Sequence, residues 1–276
     1  MRALLAALAW LAAGPAVACE GLCEADGRPY HLAVPEGEGP FPLVVFLHGA
    51  FATGEAMVNN GELRRLVEVH GFALAAPTSG TMQIRGRQLT NWEVRDGRPS
   101  SIEGGFAADD AFVRAVARNA ASNHAISATY LSGFSRGSSL VWDMACHDPS
   151  GFDAFISVAG GFWHPMAQDC AAPVHLLHVH GWRDRTVPLE GRLLRGGALR
   201  QGDIFAGLDT WRRENGCLNH RADAFETGEW WRRWWTECTS ARALQLALHP
   251  GSHGIPKGFA DLMADWVAKL PEPSSQ

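Results

Sequence analysis

Ala128-Thr129-Tyr130-Leu131-Ser132-Gly133-Phe134-Ser135-Arg136-Gly137 runs directly into Ser138-Ser139-Leu140-Val141-Trp142-Asp143-Met144-Ala145-Cys146. Residues 128–131 have the β-branched and aromatic character of a strand. After Gly137, the residues Leu140, Val141, Met144 and Ala145 recur at helical spacing. Gly-x-Ser-x-Gly alone is a weak signal in a chain with 30 glycines. Between a strand and a helix it describes a sharp turn with Ser135 at its exposed tip. The flanking glycines let the backbone turn tightly there.

A serine hydroxyl is a poor nucleophile at neutral pH, so Ser135 needs a base and an orienting acid. The chain supplies candidates in the order Ser, Asp, His. The run Val174 to Val179 leads into His180-Gly181-Trp182-Arg183-Asp184-Arg185-Thr186-Val187-Pro188. Asp184 is thus expected just beyond a strand's carboxyl end, where open parallel sheets build sites. Its simpler role is that of a turn-forming Asp. Leu244 to Leu248 is expected as the last strand, and the loop Pro250-Gly251-Ser252-His253-Gly254 then presents His253. An imidazole titrates near neutrality and can take and return a proton. His249, at the strand end, is the alternative base. Leu43 to Leu47 is an uninterrupted apolar strand followed by His48-Gly49-Ala50-Phe51. The expected oxyanion donors are the backbone N–H groups of Arg136 and Ala50, with Phe51 as second choice. His48 is expected to brace this loop.

These residues resemble the α/β-hydrolase superfamily. Within it, Leu47-His48-Gly49, Gly133 to Gly137, Ser157-Val158-Ala159-Gly160, His180-Gly181-x-x-Asp184-x-x-Val187-Pro188 and Gly251-Ser252-His253 look like the polyhydroxybutyrate-depolymerase and feruloyl-esterase-like esterases. The similarity spans about residues 30–270. It implies a secreted serine esterase acting without a cofactor. Its substrates would be hydroxyalkanoate esters or phenolic and acetyl esters of plant-wall polysaccharide. Ala50-Phe51-Ala52 stands where that family often has a Gly-rich or Cys-containing loop, and Arg136 where it often has a small residue.

The ends and the cysteines bear on the compartment. Met1-Arg2 is a short positive start, Ala3 to Ala13 is an apolar run too short to span a bilayer, and Ala16-Val17-Ala18 is a small-x-small cleavage site. Residues 1–18 are therefore expected to be a removed signal peptide. A lipoprotein signal is the rival, since Cys19 would head the mature chain. All six cysteines then lie in the exported part, as a disulfide framework requires. Spacing favours Cys19–Cys23, Cys146–Cys170 and Cys217–Cys238, and the family resemblance supports the last two more than the first.

Residues 19–276 are expected to form one α/β domain, a mostly parallel sheet with helices on both faces. Strands are expected over 72–76 and 155–158, and helices over 109–119 and 258–269. Asp109-Asp110 is expected to cap the first of these helices. The net charge of −5 and the lack of a basic stripe argue against a nucleic-acid partner, and no second hydrophobic span exists. The tail 271–276 is expected to be disordered. Segments 79–105 and 190–240 break the alternation and are expected to overhang the site and choose the substrate.

Eleven tryptophans raise the prospect of stacking on sugar or polymer chains. Trp163 and Trp182 each follow a strand end and are the better candidates, with Trp92 weaker. Trp230-Trp231-Arg232-Arg233-Trp234-Trp235 is either an exposed polymer-binding strip or an edge packed against Cys217–Cys238. His175, His178 and His180 share one strand, but no converging ligand is specified and no metal is expected. Arg136 and Arg183, near the expected mouth, point to carboxylate-bearing substrates. The resulting expectation is a secreted or periplasmic serine carboxylic ester hydrolase with Ser135, His253 and Asp184 as its working set. A serine peptidase on the same fold and a non-catalytic polymer-binding protein are the alternatives.

Overall fold

The computed structural model describes residues 19–217, 224–235 and 237–270. The expected signal peptide and C-terminal tail lie outside the described residues. The strands are β1 (Gly21–Ala25), β2 (Arg28–Ala33), β3 (Phe41–Leu47), β4 (Ala73–Pro77), β5 (Thr81–Ile84), β6 (Arg87–Thr90) and β7 (Ile126–Phe134). They continue as β8 (Ala154–Val158), β9 (Leu176–Gly181), β10 (Arg192–Leu194), β11 (Leu199–Gln201), β12 (Ala224–Glu226), β13 (Trp231–Trp235) and β14 (Leu244–His249). The α-helices are α1 (Gly54–Val58), α2 (Gly61–Glu68), α3 (Gly105–Asn123), α4 (Arg136–His147), α5 (Ile204–Glu214) and α6 (Phe259–Val267).

Among the described residues ten strands form the main sheet in the order β1-β2-β4-β3-β7-β8-β9-β14-β13-β12. The central six, β4 to β14 in that order, run parallel, and antiparallel strands close both edges. Strands covered on both faces are near-continuous apolar runs, which is what Leu43 to Leu47 presents, and β8 departs from it only at the buried Ser157. Alternate residues of β3 feed two cores. Leu43, Val45 and Leu47 pack with Phe112 of α3, Leu140 of α4 and Trp211 of α5. Val44 and Phe46 pack with Met57 of α1, Leu63 of α2 and Phe259 of α6. The chain leaves β3 toward β4 on one side and later places β7 on the other. The carboxyl ends of β3 and β7 therefore flank the topological switch point, where such sheets bind ligands.

Three local expectations change. Helix α3 starts at Gly105 with Gly104 as its N-cap, so Asp109 does not cap it. Asp109 is buried and instead receives the Glu93 N–H and the Arg28 guanidinium. Segment 79–105 contains the hairpin β5–β6, and only the first part of 190–240, the hairpin β10–β11, is a comparable small sheet. The remainder of 190–240 contributes α5 and the edge strands β12 and β13. Along β13 exposure falls on one face: Trp231 is exposed and Trp235 buried. Arg233 lies over the Trp235 ring at 5.1 Å and Arg232 over Trp234 at 5.5 Å. The Trp-rich run is thus an edge packed on the core at one end and open at the other.

Disulfides join Cys19 to Cys23, Cys146 to Cys170 and Cys217 to Cys238. Cys146–Cys170 ties the end of α4 to the segment before β9. Among the described residues no helix is long and apolar enough to cross a membrane.

Candidate active site

Ser135 sits between β7 and α4 at φ 54° and ψ −115°. A left-handed φ on a non-glycine residue is strained and persists only where the surroundings fix it. Here the Ser135 N–H donates to Val158 O at 2.8 Å, while its carbonyl accepts from Ser139 N at 3.0 Å. The turn also needs bare backbone. A Cβ on Gly137 would lie 2.3 Å from Leu47 O, and one on Gly160 would lie 2.3 Å from Ser135 O.

His253 and Asp184 meet Ser135 from two other strand ends. His253 Nε2 is 3.0 Å from Ser135 Oγ, and His253 Nδ1 is 2.6 Å from Asp184 Oδ2. A carboxylate only accepts, so Nδ1 carries the proton and Nε2 is bare toward the serine. Asp184 also forms the turn that its sequence foresaw: Oδ1 accepts from Thr186 N and Val187 N, both at 2.8 Å. Burial pushes this carboxyl up. The His253 and Val187 hydrogen bonds outweigh that and hold it below the usual carboxylate value. The set can therefore draw the serine proton onto imidazole while a fixed anion faces the far ring nitrogen. His249 is not part of it. Its Nδ1 accepts the Gly251 N–H within its own loop.

The early loop is braced as expected. His48 is fully buried, and its Nε2 accepts from Ser79 N at 3.0 Å. Nδ1 therefore donates to Gly49 O. Burial lowers the His48 pKa to about 4, so the ring is a neutral strut. Phe51 N donates to Thr90 O at 2.9 Å, which removes the second-choice oxyanion donor. The Ala50 and Arg136 N–H groups meet no acceptor among the described residues.

Trp92 is not a substrate-binding residue. It is fully buried, its Nε1 donates to His48 O at 2.9 Å, and its ring packs 5.1 Å from the His48 ring. The Arg136 side chain also departs from expectation. It turns inward, donates to Trp92 O at 2.9 Å and pairs with Asp96 at 3.2 Å. Asp96 is shared with Arg98. Burial pushes Asp96 up, but the two arginines more than offset this and hold it low. Arg183 is exposed and donates to Pro250 O. Arg136 is paired with Asp96, and Arg183 does not line the cavity beside Ser135.

A cavity of about 260 Å³ opens beside Ser135. Phe162, Trp163, Val187 and Ile204 form apolar walls, and the two hairpins roof it with Met82, Ile84, Leu194 and Leu199. Trp163 is half-buried there, with its Nε1 on Ser139 Oγ at 3.1 Å and the Arg136 guanidinium 5.0 Å over its ring. Trp182 lies outside the cavity, 58% exposed, edge-on to Trp231 at 6.1 Å. Sequence reasoning missed the hairpin residues and Asp96. A buried Arg136 would have demanded an acid, but nothing local names Asp96. Among the described residues no group of His, Cys, Asp and Glu could hold a metal.

The architecture is the α/β-hydrolase fold, and solved structures carry the same one. The acetyl xylan esterase from Aspergillus awamori matches with a TM-score of 0.64 at 15% identity, over 87% of this chain and 93% of that one. A carboxylesterase from Mesorhizobium loti matches at 0.57 and 17%, over 88% and 95%. Esterase PE8 matches at 0.56 and 17%, over 91% and 100%. No protein-family model matches the sequence, and the comparison with curated proteins finds no match.

Proposed function

We propose that this chain is an exported serine carboxylic ester hydrolase. The observation that carries the reading is the continuous hydrogen-bonded line from Ser135 Oγ through the His253 ring to Asp184, at the wall of an apolar cavity. Ser135 attacks the ester carbonyl as His253 takes its proton. Asp184 stabilises the imidazolium that forms. The Ala50 and Arg136 amides bind the oxyanion, each worth about 10²–10³ in rate. His253 returns the proton to the leaving alcohol, then activates the water that cleaves the acyl-enzyme. The acetyl xylan esterase and carboxylesterase neighbours favour esters over other acyl compounds.

The substrate class is proposed as hydroxyalkanoate esters or feruloyl and acetyl esters of polysaccharide. The apolar cavity suits an acyl chain or ring, and the exposed Trp182–Trp231 pair offers a face to a polymer. Export is supported by three disulfides. The Cys19–Cys23 bridge favours a soluble product over a lipid-anchored one. The test is hydrolysis of short p-nitrophenyl esters, a 3-hydroxybutyrate oligomer and methyl ferulate by the oxidised protein. Turnover of one class over the others fixes the substrate, and no turnover of any would overturn the reading.

A further inference from the structure

His178 and His180 occupy alternate positions of β9 and are both fully buried. They lie in a hydrogen-bond line whose direction is set at one end. His180 Nε2 is 2.8 Å from Val187 O, a carbonyl that only accepts, so Nε2 carries the hydrogen. His180 Nδ1 is then bare and accepts from His178 Nε2 at 3.0 Å. His178 Nδ1 in turn accepts from the Ser157 hydroxyl at 3.0 Å, and Ser157 Oγ pairs with Ser138 Oγ at 2.6 Å. Burial, and then the mutual repulsion of the two rings, holds His178 well below its ordinary pKa, so it stays neutral. The edge of Trp142 packs 5.2 Å from the His178 ring. Every ring nitrogen of this pair is used within the line. His175 is outside it and accepts the Ala243 N–H.

One end of the line is the first turn of α4, three residues after Ser135. The other is the turn that carries Asp184. The Val187 backbone is held at both of its peptide groups: its N–H donates to Asp184 Oδ1 at 2.8 Å and its carbonyl accepts from His180. The second carboxylate oxygen, which faces His253, lies 3.5 Å from His180 Nε2. We infer that His180 is a positioning residue that aims Asp184 at His253 by holding the Val187 carbonyl. This rests on the proposed role of Ser135, His253 and Asp184.

Two amide substitutions of equal polarity separate the role from general packing. In His180→Gln the side-chain nitrogen reaches the place of Nε2 and can still donate to Val187 O. In His180→Asn it reaches only the place of Nδ1 and cannot. The Asn variant should lose about 10–10² in kcat with KM within about twofold, as expected when a supporting contact lets a reacting group drift. The Gln variant should stay within about threefold of the parent. Adding His180→Asn to Asp184→Asn should cost nothing more. Equal activity of the Gln and Asn variants, or the full Asn loss repeated on Asp184→Asn, would overturn the inference. A second measurement needs neither variant nor substrate: nitrogen-15 NMR of the unmodified protein should find His180 as the Nε2–H tautomer. The Nδ1–H tautomer would sink the inference even if ester hydrolysis holds, and Nε2–H with no ester turnover would fault the esterase reading instead.

Discussion

His253 Nε2 lies 3.0 Å from Ser135 Oγ although 118 positions separate the two residues. The loop after β14 and the turn after β7 meet because both strands point the same way in the sheet, with only β8 and β9 between them. If the pair acts as a unit, its losses do not add. Ser135→Ala and His253→Ala should each lower kcat by about 10⁶, and the double variant should fall no further. Rates on a p-nitrophenyl ester read this, and losses that sum in the double variant would contradict a shared step.

The turn at Ser135 depends on bare backbone more than on its own side chain. Gly160→Ala would set a methyl 2.3 Å from Ser135 O, a backbone atom that cannot move aside. A loss of about 1–3 kcal/mol or more is expected, seen as a lower melting temperature. Gly61→Ala is the control. It opens α2, meets nothing within 4 Å and should stabilise by about 0.4–1 kcal/mol. Equal melting temperatures for the two variants would contradict the packing argument.

Asp143 is a buried carboxyl of α4, raised to about 7 chiefly by burial and partly relieved by the Arg95 N–H and by Arg136. Its native pKa lies above the unfolded value, so the native state binds the proton more tightly. The stability it contributes is full below about pH 4 and is lost as pH rises through about 7. Asp143→Asn keeps an acceptor for the Arg95 N–H and removes the ionisation. Its unfolding free energy should exceed the parent's by a margin that grows from about pH 4 to about pH 7 and then levels, on the order of a few kcal/mol, read in denaturant melts. A margin independent of pH would refute the assignment.

Six histidines, His48, His164, His175, His178, His180 and His249, are held below their ordinary value, in each case first by burial. The sign is opposite to that of Asp143. The unfolded chain binds more protons between the native and unfolded values, so stability falls as pH drops from about 6.5 toward 4. Their combined effect should exceed that of the two raised carboxyls, Asp109 and Asp143, and thermal melts should show a net loss across this window. A flat profile from about pH 7 to about pH 4.5 would contradict it.

The β-rich centre was legible because strands covered on both faces are unbroken apolar runs, as in Leu43 to Leu47. Ser135, Asp184 and His253 were legible as candidates because each lies in the turn or loop after a strand-like run. Trp92 was not. Its place is set by the His48 carbonyl, 44 residues away, and no local pattern encodes that bond. The same holds for Arg136, whose partner Asp96 is 40 residues distant. The roofing hairpins escaped because strands of three or four residues such as Arg192–Leu194 are too short and polar to show a period. Their consequence is chemical: the expected cation at the mouth moves from Arg136 and Arg183 to Arg195.

Arg195 lines the cavity with Arg98 and Arg136, and among the described residues no carboxylate lines it. Asp96 holds the other two, whereas the Arg195 side chain is exposed. An ester ending in a carboxylate should be favoured over its neutral analogue by about two- to fivefold in kcat/KM at low salt, the scale of an exposed ion pair. Arg195→Gln should erase that preference and leave the neutral ester unchanged. Equal rates on the two esters in the parent protein would remove Arg195 from the specificity.

Covalent labelling tests the central claim most directly. A fluorophosphonate reacts with a serine only where a neighbouring base has activated it. The oxidised protein should take up one label, peptide mapping should find it on Ser135, and His253→Ala should take up almost none. Labelling elsewhere, or none in correctly folded protein, would mean that the Ser135–His253–Asp184 line is a structural contact and not a working nucleophile.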